Sequence, residues 1–372
     1  MTCNEISPGP ILPAGALDWL CGAAFPLWLD YGVDWKAGAF HEELDPATLA
    51  PRVAFRRLRV AARQVYSFSQ AARLGVPRAA DAVALGLDFL RRHARQDDGG
   101  YAMRFDLSNA PIDLTRDLYD HAFVLLALTH AGERQAVSTL LDYIVASFTH
   151  DQGGFHEAVP ICLPRRQNPH MHLLEALLAA GERFRDMRYL DLADEIVGLF
   201  ASRFFQLESN GLAEFYDNAL QPERHDGQFV IEPGHHHEWV WLLCEHRRLA
   251  ALFGRSARDT HAEAAGLMAF AERYGVRPDG IIAGELWSDG EIRQSATRVW
   301  PHTERLKAVA RVSPGKRGAA LNALFGFFAG VRPGLWHERW AGGFIQGDAA
   351  PASTLYHITC SILEVQPDIQ AG

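Results

Sequence analysis

Apolar residues recur at i, i+3, i+4 and i+7 along most of the chain, the spacing that gives a helix one apolar stripe. The run from Val53 to Leu74 shows it and stops at Gly75 and Pro77, residue types that end helices. The same spacing predicts helices over Ala79–Ala94, Asp117–Ala131, Ala136–Phe148, Met171–Phe184, Tyr189–Phe204, Glu238–Phe253, His261–Tyr274, Thr303–Val312, Gly318–Ala329 and Ser353–Glu364. Strand-like alternation is rare and short, so the predicted fold class is all-α.

Loops between these segments form a loose repeat, in which glycine is followed by an aromatic or acidic residue. It occurs at Gly38-Ala39-Phe40-His41-Glu42, Gly99-Gly100-Tyr101, Gly153-Gly154-Phe155-His156-Glu157, Gly211 to Phe215, Gly280 to Trp287 and Gly334 to Trp340. The spacing is roughly 60 residues, room for two helices of ordinary length. Six such loops imply six helical hairpins, each with one apolar face to hide. Closing them into a ring hides all six faces at once. The expected architecture is a single-domain (α/α)6 barrel over residues 1–372. An open α-solenoid is the plainer alternative. It fits less well because only six weak repeats occur, and because the polar residues on the inner helices suit a closed cavity. No Pro-, Gly- or Ser-rich linker divides the chain.

Composition narrows the function without defining it. Apolar residues make up 48% of 372 positions, enough for a large core. The net charge of −9 opposes a nucleic-acid partner, and the arginine-rich stretch Arg52 to Arg63 reads as one side of an amphipathic helix. Met1 to Pro10 has no signal-peptide pattern, and Leu321 to Val331, the longest apolar candidate, is too short to span a membrane. Five scattered cysteines, Cys3, Cys21, Cys162, Cys244 and Cys360, suggest thiols in a reducing cytoplasm.

Nucleotide-binding glycine motifs, a GxSxG elbow and a helical HExxH are all absent. Histidine stands out, with 17 copies. In Asn168-Pro169-His170-Met171-His172-Leu173-Leu174-Glu175, helical geometry points His170 and His172 about 200° apart, so one of them at most faces a given site. Glu175 shares the His172 face. In Glu232-Pro233-Gly234-His235-His236-His237-Glu238-Trp239, three histidines fan out by about 100° each. His235 and Glu238 share a face, which suits an acid/base histidine beside a carboxylate; a metal site would need a further ligand from elsewhere. Trp300-Pro301-His302-Thr303-Glu304 offers an indole on which a sugar face could stack, or simply a structural tryptophan. Tyr356-His357 opens the last helix. Arg63, Tyr119 and His121 are polar intrusions on apolar helix faces. Taken one at a time, each is as well explained by a hydrogen-bonded core. Recurring at equivalent places, they imply a polar cup suited to a neutral polyol.

Taken in order, Ala62-Arg63-Gln64-Val65-Tyr66-Ser67-Phe68-Ser69, Leu118-Tyr119-Asp120-His121, Met171-His172-Leu173-Leu174-Glu175, Gly234-His235-His236-His237-Glu238-Trp239, Trp300-Pro301-His302-Thr303-Glu304 and Tyr356-His357 resemble the N-acylglucosamine 2-epimerase family. That family includes cellobiose 2-epimerases and aldose–ketose isomerases of mannose and sulfoquinovose, and the resemblance runs from about Trp19 to Glu364. It implies an (α/α)6 barrel, a small-molecule sugar substrate, no cofactor or metal, and a monomer or homodimer. Residue by residue, it implies that Arg63 contacts the reacting oxygens and that His172 serves ring opening. His235 and His357 would be the acid/base pair, with Glu238 beside His235. Tyr119, His121, Asn168, Trp300 and Glu304 are expected to bind substrate.

The implied reaction removes a weakly acidic proton next to a carbonyl. It needs a base near neutral pH and a fixed cation for the enediolate. Proton return to C1 gives a ketose, and return to the other face of C2 gives the epimer. The expectation leans to isomerisation of a free hexose such as mannose. A phosphosugar is less expected because no glycine-rich helix start is evident. A glycoside hydrolase would need two carboxylates, from Glu238, Glu304, Asp117 or Glu175, and would leave the histidines without a role. A non-catalytic sugar-binding protein would bind without turnover.

Overall fold

The computed structural model describes residues 15–347 and 349–366; Met1–Pro10 and Cys3 lie outside the described residues. Helical turns run through residues 16–32 (α1), a segment that the apolar spacing did not predict. Gly22 and Pro26 interrupt its pattern. The segment stays helical by alternating regular turns with π-type turns at Leu20–Ala24 and Trp28–Gly32; π-type turns also end the outer helices at Leu90–Ala94, Phe200–Phe204 and Ala271–Gly275. The other helices are Leu58–Arg73 (α2), Ala79–Phe89 (α3), Leu118–Ala131 (α4), Arg134–Phe148 (α5), Gln167–Phe184 (α6), Met187–Leu199 (α7), Pro233–Leu252 (α8), His261–Phe270 (α9), Trp300–Val312 (α10), Arg317–Gly326 (α11) and Ala352–Glu364 (α12).

The even-numbered helices are almost wholly buried and pack as a closed ring: α2 on α4, α4 on α6, α6 on α8, α8 on α10, α10 on α12, and α12 back on α2. Each is backed by an outer helix. Five inner–outer pairs are continuous hairpins; the sixth joins the two ends of the chain, α1 against α12. The molecule is thus the single (α/α)6 barrel that the repeats implied, and no described helix is long and apolar enough to cross a membrane.

Helices α6, α8 and α10 begin earlier than the apolar stripe suggests, at Gln167, Pro233 and Trp300. Their prolines, Pro169, Pro233 and Pro301, fall in the first turn, where the backbone N–H has no helical partner to lose. By contrast, α2 begins later than expected because Arg56–Arg57 is extended.

Before each inner helix stands a two-residue strand that pairs antiparallel with a loop of the next repeat. Arg56–Arg57 pairs with Arg104–Phe105, Arg116–Asp117 with Ala158–Val159, and Arg165–Arg166 with Phe215–Tyr216. Val230–Ile231 pairs with Glu285–Trp287, and Thr297–Arg298 with Arg339–Ala341. Ala350–Pro351 closes the circle on Glu43–Leu44. These small sheets tie the glycine loops to the N-terminal ends of the inner helices, so the loops gather at that end of the barrel.

Histidines reinforce the same junction. His121, His170, His236 and His302 lie in the first turn of α4, α6, α8 and α10, and the Nε2 of each accepts a backbone N–H from Tyr101, Phe155, Leu212 or Ile282 in the glycine loops. Gly154 shows how close the approach is: at φ +67°, a side chain there would come within 2.7 Å of the His170 ring.

Candidate active site

The N-terminal ends of the inner helices enclose a cavity of about 200 Å³. Helix α2 contributes Arg63, α4 Tyr119, α6 Asn168 and His172, α8 His235 and Glu238, α10 Trp300, and α12 His357, while Glu232 at the start of α8 and Arg298 from the strand before α10 complete it. A wider hollow near Arg92, Arg95 and Asn109 opens on the outer surface, away from these groups and without a comparable set of histidine–carboxylate pairs.

His357 is 6% exposed, and its Nδ1 lies 2.8 Å from Glu304 Oε1. A carboxylate only accepts, so Nδ1 carries the proton and Nε2 keeps a lone pair. Burial opposes the imidazolium and, despite Glu304, pushes the pKa of His357 down to about 3. His172 is built alike. Its Nδ1 is 3.1 Å from Glu175 Oε2, and burial lowers its pKa to about 4.

His235 behaves in the opposite way. Its Nδ1 meets Glu214 Oε2 at 2.9 Å. Burial disfavours the charge, but Glu214 and Glu232 together outweigh it and raise the pKa to about 10. As an imidazolium it donates from both nitrogens. Nε2 faces the Asn168 amide at 3.1 Å, and a turned amide offers the oxygen that otherwise has no partner. Trp300 lies against both histidines, its ring centre 4.9 Å from that of His235 and 5.9 Å from that of His357. Gly234 makes this approach feasible, since a side chain there would meet the indole at 2.6 Å.

Arg63 is fixed rather than mobile. One Nη donates to Tyr119 Oη at 2.5 Å and the other to the Ser353 carbonyl at 3.3 Å, while its guanidinium lies 4.1 Å from the centre of the Phe123 ring. Among the described residues, both carboxylate oxygens of Glu238 are buried without a hydrogen-bond partner, and burial, with Glu304 nearby, pushes this acid well above its usual range.

Three expectations need correction. His121 does not reach the cavity. It is fully buried, accepts from Tyr101 N–H and faces the Asp117 carbonyl at 2.7 Å, so it belongs to the loop-locking set. Glu304 lies beneath the cavity rather than in its wall; it holds His357 and Lys307. The carboxylate hydrogen-bonded to His235 is Glu214, not Glu238, which comes closer to His172 at 3.8 Å. Of the three consecutive histidines only His235 lines the cavity; His236 binds Leu212 N–H and His237 faces Glu272 at 3.4 Å. Replacing His121 by Ala is expected to cost about 2 kcal/mol of stability in urea, the cost of an unpartnered buried N–H, with kcat nearly unchanged. Lost turnover at unchanged stability would return His121 to the site.

Glu214, Glu232 and Arg298 were not anticipated. A signal for Glu214 existed. Glu42 and Glu157 occupy the matching place in their loops, and each grips the arginine just before an inner helix, Arg57 or Arg166. At the third such junction that arginine is replaced by Glu232, which leaves Glu214 free for His235. Two groups, His172–Glu175–Glu238 and Glu214–Glu232–His235, each bring three ligating atoms within 4.8 Å and could hold a cation; a shared proton joins the same His–Glu pairs.

This end of the barrel is a polar, histidine-lined cup of a kind that handles small sugars, and comparison with known proteins agrees. A mannose-6-phosphate isomerase of Rhizobium meliloti is 36% identical over 382 residues, covering 95% of this chain and 97% of that protein. A D-mannose isomerase of Marinomonas mediterranea is 26% identical, covering 61% of this chain and 65% of that one. A crystal structure of a D-mannose isomerase superposes with a TM-score of 0.84 over 96% of this chain and 99% of its own, at 20% identity, a likeness of fold. The protein is an isomerase or epimerase. Residues 38–361 match the N-acylglucosamine 2-epimerase family, and the chain belongs to that family.

Proposed function

We propose that this protein is an aldose–ketose isomerase that interconverts a free hexose such as D-mannose with D-fructose, by histidine acid/base transfer through an enediolate. One observation carries the reading. Two histidines flank the same indole, each with its Nδ1 on a buried carboxylate, and their surroundings push their pKa values in opposite directions, His357 down and His235 up. Groups whose surroundings push their pKa values apart divide the acid and base roles between them.

His172 assists ring opening. His357 Nε2 then takes the C2 proton while His235 gives a proton to O1, forming the enediol, and Arg63 stabilises charge that develops on the oxygens. His357 returns its proton to C1, and the O2 proton passes back to His235, which leaves the ketose and the starting enzyme. The cavity is below the roughly 300–1,000 Å³ of drug-sized sites, so it suits one sugar ring better than an oligosaccharide. Metal-free proton transfer is part of the proposal.

A 2-epimerase is the second reading, supported by the family's name; it needs the same residues, with the proton returned to the opposite face of C2. The phosphosugar named in the Rhizobium relative is a further candidate for the test; Arg298 is the cation at the cavity edge, but its guanidinium is held by Glu338 at 2.6 Å. Proton NMR of D-mannose in D2O with excess EDTA tests all of these. Fructose carrying deuterium at C1 is the expected product. Glucose without fructose would make the protein an epimerase, and turnover confined to mannose 6-phosphate would assign the phosphosugar. Activity abolished by EDTA would place a cation on one of the carboxylate–histidine groups. Inertness towards all of these sugars and towards N-acylmannosamine and cellobiose would remove the isomerase and epimerase readings together.

A further inference from the structure

Lys307 stands one turn beyond Glu304 on α10 with no exposed surface. Its Nζ donates to Glu304 Oε2 at 2.7 Å and lies 4.0 Å from the centre of the Trp241 ring. Glu175 from α6 and Glu238 from α8 act on it electrostatically. It does not line the cavity, and no proton-transfer step uses it. Burying an ammonium costs more than most pairings return, and apolar residues of similar size often stabilise a core better than a buried ion pair does. Stability alone is therefore a poor reason for a lysine here.

The geometry supplies another reason. Glu304 is shared: Oε2 faces Lys307, and Oε1 faces His357 Nδ1 at 2.8 Å. Glu238 already favours its neutral form; without the cation, Glu175 and Glu304 would be left as buried carboxylates beside it with no ammonium to hold them, a crowding that drives such groups to take up protons. A protonated Glu304 could donate to Nδ1. The imidazole proton would then sit on Nε2, where a base needs its lone pair.

We propose that Lys307 is a positioning residue, the buried counter-charge that keeps Glu304 ionised so that His357 holds its proton on Nδ1 and presents a free Nε2 to the sugar. The inference rests on the reading of His357 as the base. It accords with the balance at Glu304, where burial favours the neutral acid but Lys307 and His357 hold the pKa at about 2. The other charged or titratable groups facing His357 are Arg63 from α2 and His172 from α6; Lys307 also helps to keep Glu175, the partner of His172 Nδ1, ionised, so the His172 ring signals are followed in the same spectra to separate the two histidines.

The test is Lys307→Met in protein labelled with 15N-histidine, with the His357 ring signals assigned by their loss in His357→Asn. Wild type is expected to show the Nδ1–H tautomer. Lys307→Met should shift it towards Nε2–H and lower kcat about 100-fold, the scale of a lost general base, with KM within about three-fold. An unchanged tautomer with kcat within about two-fold would overturn the proposal. Should the single variant fail to fold, Glu304→Gln/Lys307→Met removes both charges together. A kcat equal to that of Glu304→Gln alone supports action through Glu304, and a further tenfold loss overturns it. The tautomer readout needs no turnover, so an error in the proposed activity would remain distinguishable from an error about Lys307.

Discussion

Replacing His357 by Ala is expected to lower kcat by about 10³-fold or more, within the range that positioned acid/base groups supply, and to stop deuterium wash-in from D2O. The side chain that lines the cavity with a free Nε2 would be gone, and Glu304 beneath it does not line the cavity. His235→Ala should fall comparably for a different reason. It removes the cation that sits against Glu214 and Glu232, so the acid is lost and two carboxylates are left together. Near-normal turnover in either variant would take that residue out of the chemistry. His235 also sets the upper limit of the working range. His235 loses its second proton at about pH 10, so turnover should decline as pH rises through that value.

The acid side should be limited by unfolding rather than by the base. His121, His170, His172, His236, His302 and His357 are all buried, and burial lowers their pKa values to about 3 or 4. Unfolded, each titrates near 6.5. Their folded values are depressed, so the unfolded chain binds more protons once pH falls below about 6.5, and stability present above that value drains away towards the folded values. At pH 5 each costs about 2 kcal/mol relative to neutral pH; Asp120, Glu232 and Glu238, which burial holds above the usual carboxylate range, offset part of this, because the folded chain takes up their protons before the unfolded chain does. His235 has the opposite sign: its contribution is full below about pH 6.5 and is lost as pH rises through about 10. Tryptophan fluorescence and circular dichroism in urea should therefore report stability that falls as pH drops below about 6.5, with net uptake of protons on unfolding. Ring signals of these histidines titrating near pH 6.5 in the folded protein would show that they are not held neutral.

The sequence by itself determined the helices, their apolar faces and the ring. Helical spacing is local, and six glycine loops set the number of repeats. Even the direction of His172 relative to His170 follows from helical rotation; His172 lines the cavity and His170 binds Phe155 N–H. Helix α1 escaped because Gly22 and Pro26 break the local pattern while packing against α12 preserves the element. Only the tertiary structure decided which polar side chain does what. His121 and His172 look alike as polar intrusions on apolar helices, yet one locks a loop and the other lines the cup. Glu238 sits on the His235 face of its own helix, but the carboxylate that charges His235 comes from Glu214, 21 residues earlier, across a strand pairing that local spacing does not encode. Lys307 has no local signal of its role: its burial and its three carboxylate neighbours come from three helices that meet only in the ring. Burial and charge partners set protonation, and both are properties of the closed barrel: they arise when six helices from distant parts of the chain exclude water from one another's polar residues.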